Sequence, residues 1–195
     1  MEDGDSDEVL LRRMASGDVA ALSSLMKRHK NAVFRFAYRY LHHESDAAEV
    51  TEQTFLRVYQ NAVRFTPRAA VKTWMFSITR NLAMDSLRRN RKHRVWVPLH
   101  SGDSKQEDTA ALIDVIESQL PQPSESTENR EMLGLFHQKV TTLPEKLRFP
   151  FVFCVLEGHS HDECAEVLRT SRKTIETRIY RARMHLKKEL SSLFH

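Results

Sequence analysis

Glycine and proline are scarce in this chain, with five and six among 195 residues. That supply is too small for the turns of a β-rich fold, and long stretches of Leu, Ala, Arg, Glu and Met point to helices. Cysteine is scarcer still. Cys154 and Cys164 lie on predicted amphipathic helices without CxxC spacing, which suits a reducing cytoplasm. Buried thiols are one reading of the pair, a redox or metal role the other. No apolar run nears the roughly 20 residues of a membrane helix. The acidic start (Glu2, Asp3, Asp5, Asp7, Glu8) is expected to exclude a signal peptide. The expected location is the cytoplasm, without direct membrane binding.

The groupings that catalysis needs are missing too. There is no glycine-rich phosphate loop and no Glu-x-x-His pair for a bundle metal site. His42 and His43 are adjacent at a predicted helix end, and His159 and His161 bracket Ser160 at a turn. Neither pair has metal-ligand spacing to Cys or acidic partners, and both are expected at the surface. The expectation is therefore no enzyme activity, no cofactor and no metal.

What is present is segregated charge. Composition is that of a folded soluble protein, 41% hydrophobic and 29% charged, and the formal net charge is only +4. Within Arg169–Lys188, however, eight cations (Arg169, Arg172, Lys173, Arg178, Arg181, Arg183, Lys187, Lys188) face the single acid Glu176. Within Arg80–Arg94, six cations (Arg80, Arg88, Arg89, Arg91, Lys92, Arg94) face Asp85. Between these blocks, Ser101–Glu128 carries seven acids against Lys105. Two cationic surfaces separated by an acidic strip imply two polyanion contacts that the connector does not share.

Periodicity organises the chain as an all-α protein of two small helical domains on a flexible acidic linker. Residues 1–94 form the first expected domain, in which 6–93 read as four or five helices, with Ser6 and Asp18 as N-caps and Asp46 with Glu49 as a capping-box-like start. Pro67 lies in a predicted loop over Phe65–Val71, and the next helix carries Trp74, Ile78, Leu82 and Leu87. Residues 95–127, with Gly102, Pro121, Pro123 and several serines, read as linker. Residues 128–195 read as four helices. Thr142 with Glu145 predicts one capping box, and Ser160 with Glu163 another. Gly158 is a helix stop, Pro150 an internal kink, and Ser171 caps the basic helix. A short helix, a three-residue turn and a longer helix make a helix-turn-helix.

The basic helix of that motif suits a major groove, because residues in the first turns of a recognition helix reach base edges. Arg172 and Lys173 can pair with guanine, and Glu176 can accept from the cytosine amino group. Arg178, Arg181 and Arg183 suit phosphates, which gives an expected log–log salt slope of about −5 to −7. The alternative is a solvated basic face, or one that binds an acidic protein. In the other block, Phe65, Trp74, Phe76 and Asn81 lie near Arg88, Arg89, Arg91 and Lys92. Stacking groups beside a cationic track suit unpaired bases, and the loop after Phe65 could supply a pocket for an extruded base. The competing reading puts Trp74 and Phe76 in a core. The cluster Glu44, Asp46, Glu49 and Glu52 either complements a helix dipole or docks onto a basic protein groove.

Taken in order, these blocks resemble a bacterial extracytoplasmic-function (ECF) sigma factor of the sigma-70 family, from about Val9 to Leu190. The family pattern D-A-E-D-L-V-Q-E-T-F is met by DAAEVTEQTF at Asp46–Phe55, and W-L-x-x-I-A-x-N-x-x-x-D-x-x-R-R by WMFSITRNLAMDSLRR at Trp74–Arg89. L-P-x-x-x-R-x-x-F is met at Leu143–Phe151, E-G-x-S-x-x-E-I-A-x-x-L at Glu157–Leu168, and T-V-K-S-R-L-x-R-A-R by TIETRIYRAR at Thr174–Arg183.

The resemblance implies an alternative sigma factor that brings core RNA polymerase to promoters and helps open them. Asp46, Glu49, Glu52, Gln53 and Phe55 would bind the polymerase. Phe65, Arg68, Lys72 and Asn81 would capture a flipped base of the −10 element, and Arg88, Arg89, Arg91 and Lys92 would follow the adjacent single strand. Ser171, Arg172, Lys173, Thr174, Glu176, Thr177, Arg178 and Arg181 would read the double-stranded −35 element. The acidic linker would thread toward the RNA exit path. The resemblance also implies an anti-sigma factor, often membrane-anchored, that occludes both domains. Three departures stand out. Leu168-Arg169-Thr170-Ser171 replaces the usual Leu-Gly-Ile-Ser turn, Glu176 stands where a cation is common, and Glu52-Gln53 replaces Gln-Glu. The main rival is a self-sufficient DNA-binding regulator, which would dimerise on an inverted repeat; a monomer is expected here.

Overall fold

The structure is a computed structural model that describes residues 5–65, 70–93 and 127–191, and the side chains among them except at 91–93 and 127–132. The expected linker over 95–127 thus falls almost wholly outside the described residues. All regular elements among the described residues are helical: α1 (Asp7–Ala15), α2 (Val19–Leu41), α3 (Glu44–Asn61) with a 3₁₀ turn at Ala62–Arg64, α4 (Val71–His93), α5 (Thr127–Thr142), α6 (Glu145–Pro150) continuing as a π-helical turn at Phe151–Leu156, α7 (His161–Leu168) and α8 (Arg172–Ser191). None of these helices is long and apolar enough to cross a membrane.

Local chemistry accounts for most boundaries. The Ser6 hydroxyl accepts from the Val9 amide to start α1, and Asp18 accepts from Ala20 and Ala21 to start α2. Gly17, at φ 93°, makes the turn between them. Ser160 and Glu163 form the expected reciprocal capping box of α7. Two other predicted boxes do not form. Helix α3 begins earlier than expected, at Glu44, and its cap is His43, whose Nδ1 accepts from the Asp46 amide. Helix α6 is entered through Pro144 with no side-chain cap, because the Thr142 hydroxyl donates back to the Lys139 carbonyl. Pro150 has no amide hydrogen to give the helical ladder. The chain answers by widening into a π turn, in which the Glu157 amide reaches the Val152 carbonyl at 3.0 Å.

Two cores result. The smaller joins α1, α2, α3 and α4 through Leu10, Leu11, Met14, Leu25, Val33, Phe55, Val58 and Met75. The larger spans both halves of the chain. It unites Phe36, Tyr40, Val50, Phe76 and Leu82 of the first half with Val140, Phe149, Phe151, Phe153, Cys164, Ile175, Ile179 and Leu186 of the second. Phe36 sits at the seam, edge-on to Phe76 at 5.6 Å, Phe149 at 5.6 Å and Phe153 at 6.2 Å, and stacked on Tyr40 at 5.7 Å. Each such pair contributes about 0.5–1.5 kcal/mol beyond its area burial. The buried Arg148 guanidinium lies over the Tyr40 ring at 5.4 Å, and burial pushes the Tyr40 phenol up to about 12. Cys154 and Cys164 are free, buried thiols within this core. Their mutual hydrogen bond, then burial, drives the Cys164 thiol far up from its ordinary value, which makes it inert.

Candidate polymerase and nucleic-acid interfaces

Helix α8, the expected recognition helix, buries Ile175, Ile179, Ala182 and Leu186, a single stripe at helical spacing. That stripe fixes the rotation of the helix and turns Arg172, Lys173, Glu176, Thr177 and Arg181 to solvent. The turn leading into it is tight. Arg169 takes φ 49°, ψ 51°, a left-handed position suited to glycine, while the amides of Arg169 and Thr170 satisfy the carbonyls of Glu166 and Ala165. Ser171 then caps α8, accepting from the Thr174 amide at 3.2 Å with its hydroxyl 2.9 Å from that of Thr174.

Two of the three side chains read as base-contacting, Arg172 and Glu176, are tied to one another. Arg172 Nε donates to Glu176 Oε1 at 3.0 Å, and its Nη1 reaches Asp162 Oδ2 at 3.1 Å. His161 Nδ1 lies 3.6 Å from the same Glu176 oxygen. The Arg172 hydrogen bond holds the Glu176 carboxyl below its usual range, and Glu176 in turn raises the guanidinium of Arg172. Asp162 and His161, in the first turn of α7, therefore brace Arg172 and Glu176 from the neighbouring helix. Sequence reasoning did not single out Asp162. The Thr177 hydroxyl is spent on the Lys173 carbonyl at 2.9 Å.

Phe65, directly after the 3₁₀ turn, packs against Trp74 of α4 with ring centroids 5.0 Å apart, so both aromatic readings of Trp74 share one half-buried side chain. Phe76 is core, 1% exposed. Arg68 lies outside the described residues. Lys72 pairs with Glu163 of α7 at 3.8 Å. Asn81 is exposed and accepts from Arg80 at 3.3 Å. Arg88 pairs with Asp85 at 3.5 Å, as its spacing suggests, and Arg89 with Glu49 at 3.2 Å. Arg91 and Lys92 fall in the last turn of α4, their side chains outside the described residues.

On α3, Asp46 accepts from Asn90 Nδ2 at 2.6 Å. Together with the Glu49–Arg89 pair, this stitches the acidic start of α3 to the end of α4. Glu52 and Gln53 are exposed, and Leu56 beside them is 46% exposed. Phe55 does not join this face. It is 2% exposed, packed among Leu25, Val33, Val58 and Met75, and at its position the apolar stripe of α3 points inward. The other surface expectation to be corrected is His159. Its side chain is 8% exposed, stacked on Phe153 at 4.0 Å and edge-on to Phe76 at 4.9 Å. Gly158, at φ 72°, folds the chain back over the aromatic seam, and burial holds the imidazole below its usual value. His43 is exposed as expected, whereas His161 is half-buried and His42 is half-buried in a left-handed helix stop at φ 52°.

Between α4 and the second half lies a cleft of ≈ 640 Å³, lined by Trp74, Arg80, Asn81, Phe149, Arg169 and Arg178 among others. One residue assigned to each DNA element, Asn81 and Arg178, thus faces the same space.

Residues 25–93 match the family model Sigma-70 region 2, and residues 133–186 match Sigma-70, region 4. RNA polymerase sigma factor NccH of Alcaligenes xylosoxydans xylosoxydans is 32% identical over 192 residues, covering 98% of both chains. ECF RNA polymerase sigma factor SigE of Mycolicibacterium smegmatis is 29% identical over 180 residues, 91% of this chain but 65% of that relative's length. Among solved structures, CnrH in complex with the cytosolic domain of CnrY aligns at a TM-score of 0.68 and 24% identity, covering 96% of this chain and 99% of that one.

Proposed function

Because the chain belongs to the extracytoplasmic-function sigma factors of the sigma-70 family, we propose that it carries core RNA polymerase to specific promoters and assists their opening. The exposed edge of α3, with Glu52 and Gln53 at its centre and Asp46 and Glu49 at its start, docks on the polymerase. The α7–α8 unit reads duplex −35 DNA through Arg172, Lys173 and Glu176, with Ser171, Thr174, Thr177, Arg178 and Arg181 flanking them. Phe65, Arg68, Lys72 and Asn81 take an extruded −10 base, and Arg88, Arg89, Arg91 and Lys92 follow the displaced strand. Melting is then driven by differential binding of unpaired bases, without nucleotide hydrolysis. An anti-sigma factor that spans both halves, membrane-anchored in the manner common to the family, restrains it in the cytoplasm.

The observation that carries this reading is the presence on one chain of two unlike cationic surfaces. One is a helix-turn-helix with its basic face turned outward; the other is the arginine-rich end of α4, adjoining an acidic docking edge. A duplex-binding regulator needs only the first. Run-off transcription with purified core polymerase on genomic fragments tests it. Discrete transcripts that require the chain are expected. Transcription indifferent to its addition would reject the proposal.

A further inference from the structure

Glu157 ends the π turn of the second half, yet its carboxylate is taken up by the first half. Its side chain is 1% exposed. Oε2 receives Arg35 Nε at 2.8 Å and Oε1 receives Arg39 Nη1 at 2.7 Å. Arg39 Nη1 also donates to the Leu156 carbonyl. Both arginines stand one turn apart on α2, more than a hundred residues away in sequence, and they remain 56% and 29% exposed. A carboxylate removed from water is tolerable only with its charge matched and its lone pairs filled, and here both guanidinium partners come from the opposite half.

We propose that Glu157, clamped by Arg35 and Arg39, is an intramolecular latch that holds the chain shut and self-inhibited before any partner binds. The proposal rests on the sigma-factor reading. The aromatic seam around Phe36 supplies stability but little register, since apolar contacts are non-directional. The latch supplies register, because charge-assisted hydrogen bonds are directional and in this docking of the halves both carboxylate oxygens of Glu157 are met. In that docking Asn81 and Arg178 line one cleft, and Lys72 is paired with Glu163 on α7. Promoter elements centred about 25 base pairs apart are ~85 Å apart at about 3.4 Å per base pair. One chain cannot read both while its two readers share a cleft, so the closed form is excluded from the promoter complex. Its apparent affinity for DNA-loaded polymerase is lowered by the fraction of chains that are open.

The test uses the full chain, labelled with a donor on α1 and an acceptor near the end of α8. Arg35→Ala with Arg39→Ala leaves the Glu157 carboxylate buried without a cation. Glu157→Gln removes the charge from the other side, and Arg39→Glu with Glu157→Arg re-forms the pair with reversed sign. The proposal expects lower energy transfer and at least ~10-fold tighter binding of core polymerase with promoter DNA in the first two variants. Both should return toward wild type in the swap, with unchanged helical circular dichroism throughout. Unchanged energy transfer in both opening variants would overturn the latch. Opening with no gain in binding would overturn the self-inhibition. Absence of polymerase binding by every form, wild type included, would instead strike the sigma-factor reading on which the inhibition rests.

Discussion

At the scale of single residues, strain and readout meet in the turn before α8. Arg169 occupies a left-handed conformation that costs a side-chain-bearing residue about 1 kcal/mol relative to glycine. Arg169→Gly should stabilise the fold by about that amount, raising Tm by roughly 2–4 °C for a chain of this size; an unchanged or lower Tm would mean that arginine's contacts in the cleft outweigh the strain. Arg172 and Glu176 are exposed and bonded to each other, so removing either frees the other. Arg172→Ala and Glu176→Ala should each alter preference at one or two −35 positions by about 1–3 kcal/mol, read by competition binding across a randomised −35 library. Preference unaltered in both would remove them from base contact. The departure from glycine at Arg169 and the placement of Arg172 and Glu176 in the first turns of the basic helix were legible in the sequence; their mutual hydrogen bond was not drawn from it. Asp162 was not, because it reaches Arg172 through the angle between two helices, and no spacing along one helix reveals that.

At the scale of elements, caps were read correctly where nothing competed for the capping atom. Ser6, Asp18, Ser160 and Ser171 had free hydroxyl or carboxylate oxygens beside open amides. Thr142 failed because its hydroxyl was already committed to the preceding turn, and Asp46 because histidine two positions ahead of Ser45 took the role. Phe55 was read from a motif as a contact, whereas its helical phase with Val58 and Thr51 assigns it to the core. The proposed docking edge of α3 is therefore best tested away from the stitched residues Asp46 and Glu49. Glu52 is exposed and has no ion pair among the described residues. Glu52→Lys with Gln53→Lys should weaken binding of core polymerase several-fold with helicity and Tm unchanged; full retention of affinity, measured by fluorescence anisotropy, would move the docking surface elsewhere.

At the scale of the molecule, the two helical blocks were legible and their closure was not. Phe36, Phe76, Phe149 and Phe153 each sit at ordinary core spacing within their own half, so periodicity cannot tell an internal core from a surface shared with the other half. The same seam sets a pH dependence. Burial, with Arg39 and His42 for His137 and with Lys72 for His159, holds both imidazoles below their ordinary value near 6.5. The fold therefore favours the neutral forms, and the unfolded chain binds more protons as pH falls below about 6.5. Stability from these two groups is complete above that value and is lost as pH descends toward their lowered folded values. Thermal unfolding should show a lower Tm at pH 5.5 than at pH 7.5, with the difference reduced by His137→Phe and His159→Phe together. A flat profile between those values would mean that the seam is not desolvated as described.

The proposed function requires one chain to present separate duplex-reading and strand-capturing surfaces to a promoter held by polymerase. Permanganate probing of thymines on a promoter recovered by run-off transcription addresses it most directly. With core polymerase and this chain, unpaired thymines should be exposed in the −10 region, and Asn81→Ala should abolish that exposure while −35 protection persists. Strand opening unaffected by Asn81→Ala, or −35 protection lost together with it, would contradict the division of labour between the two halves.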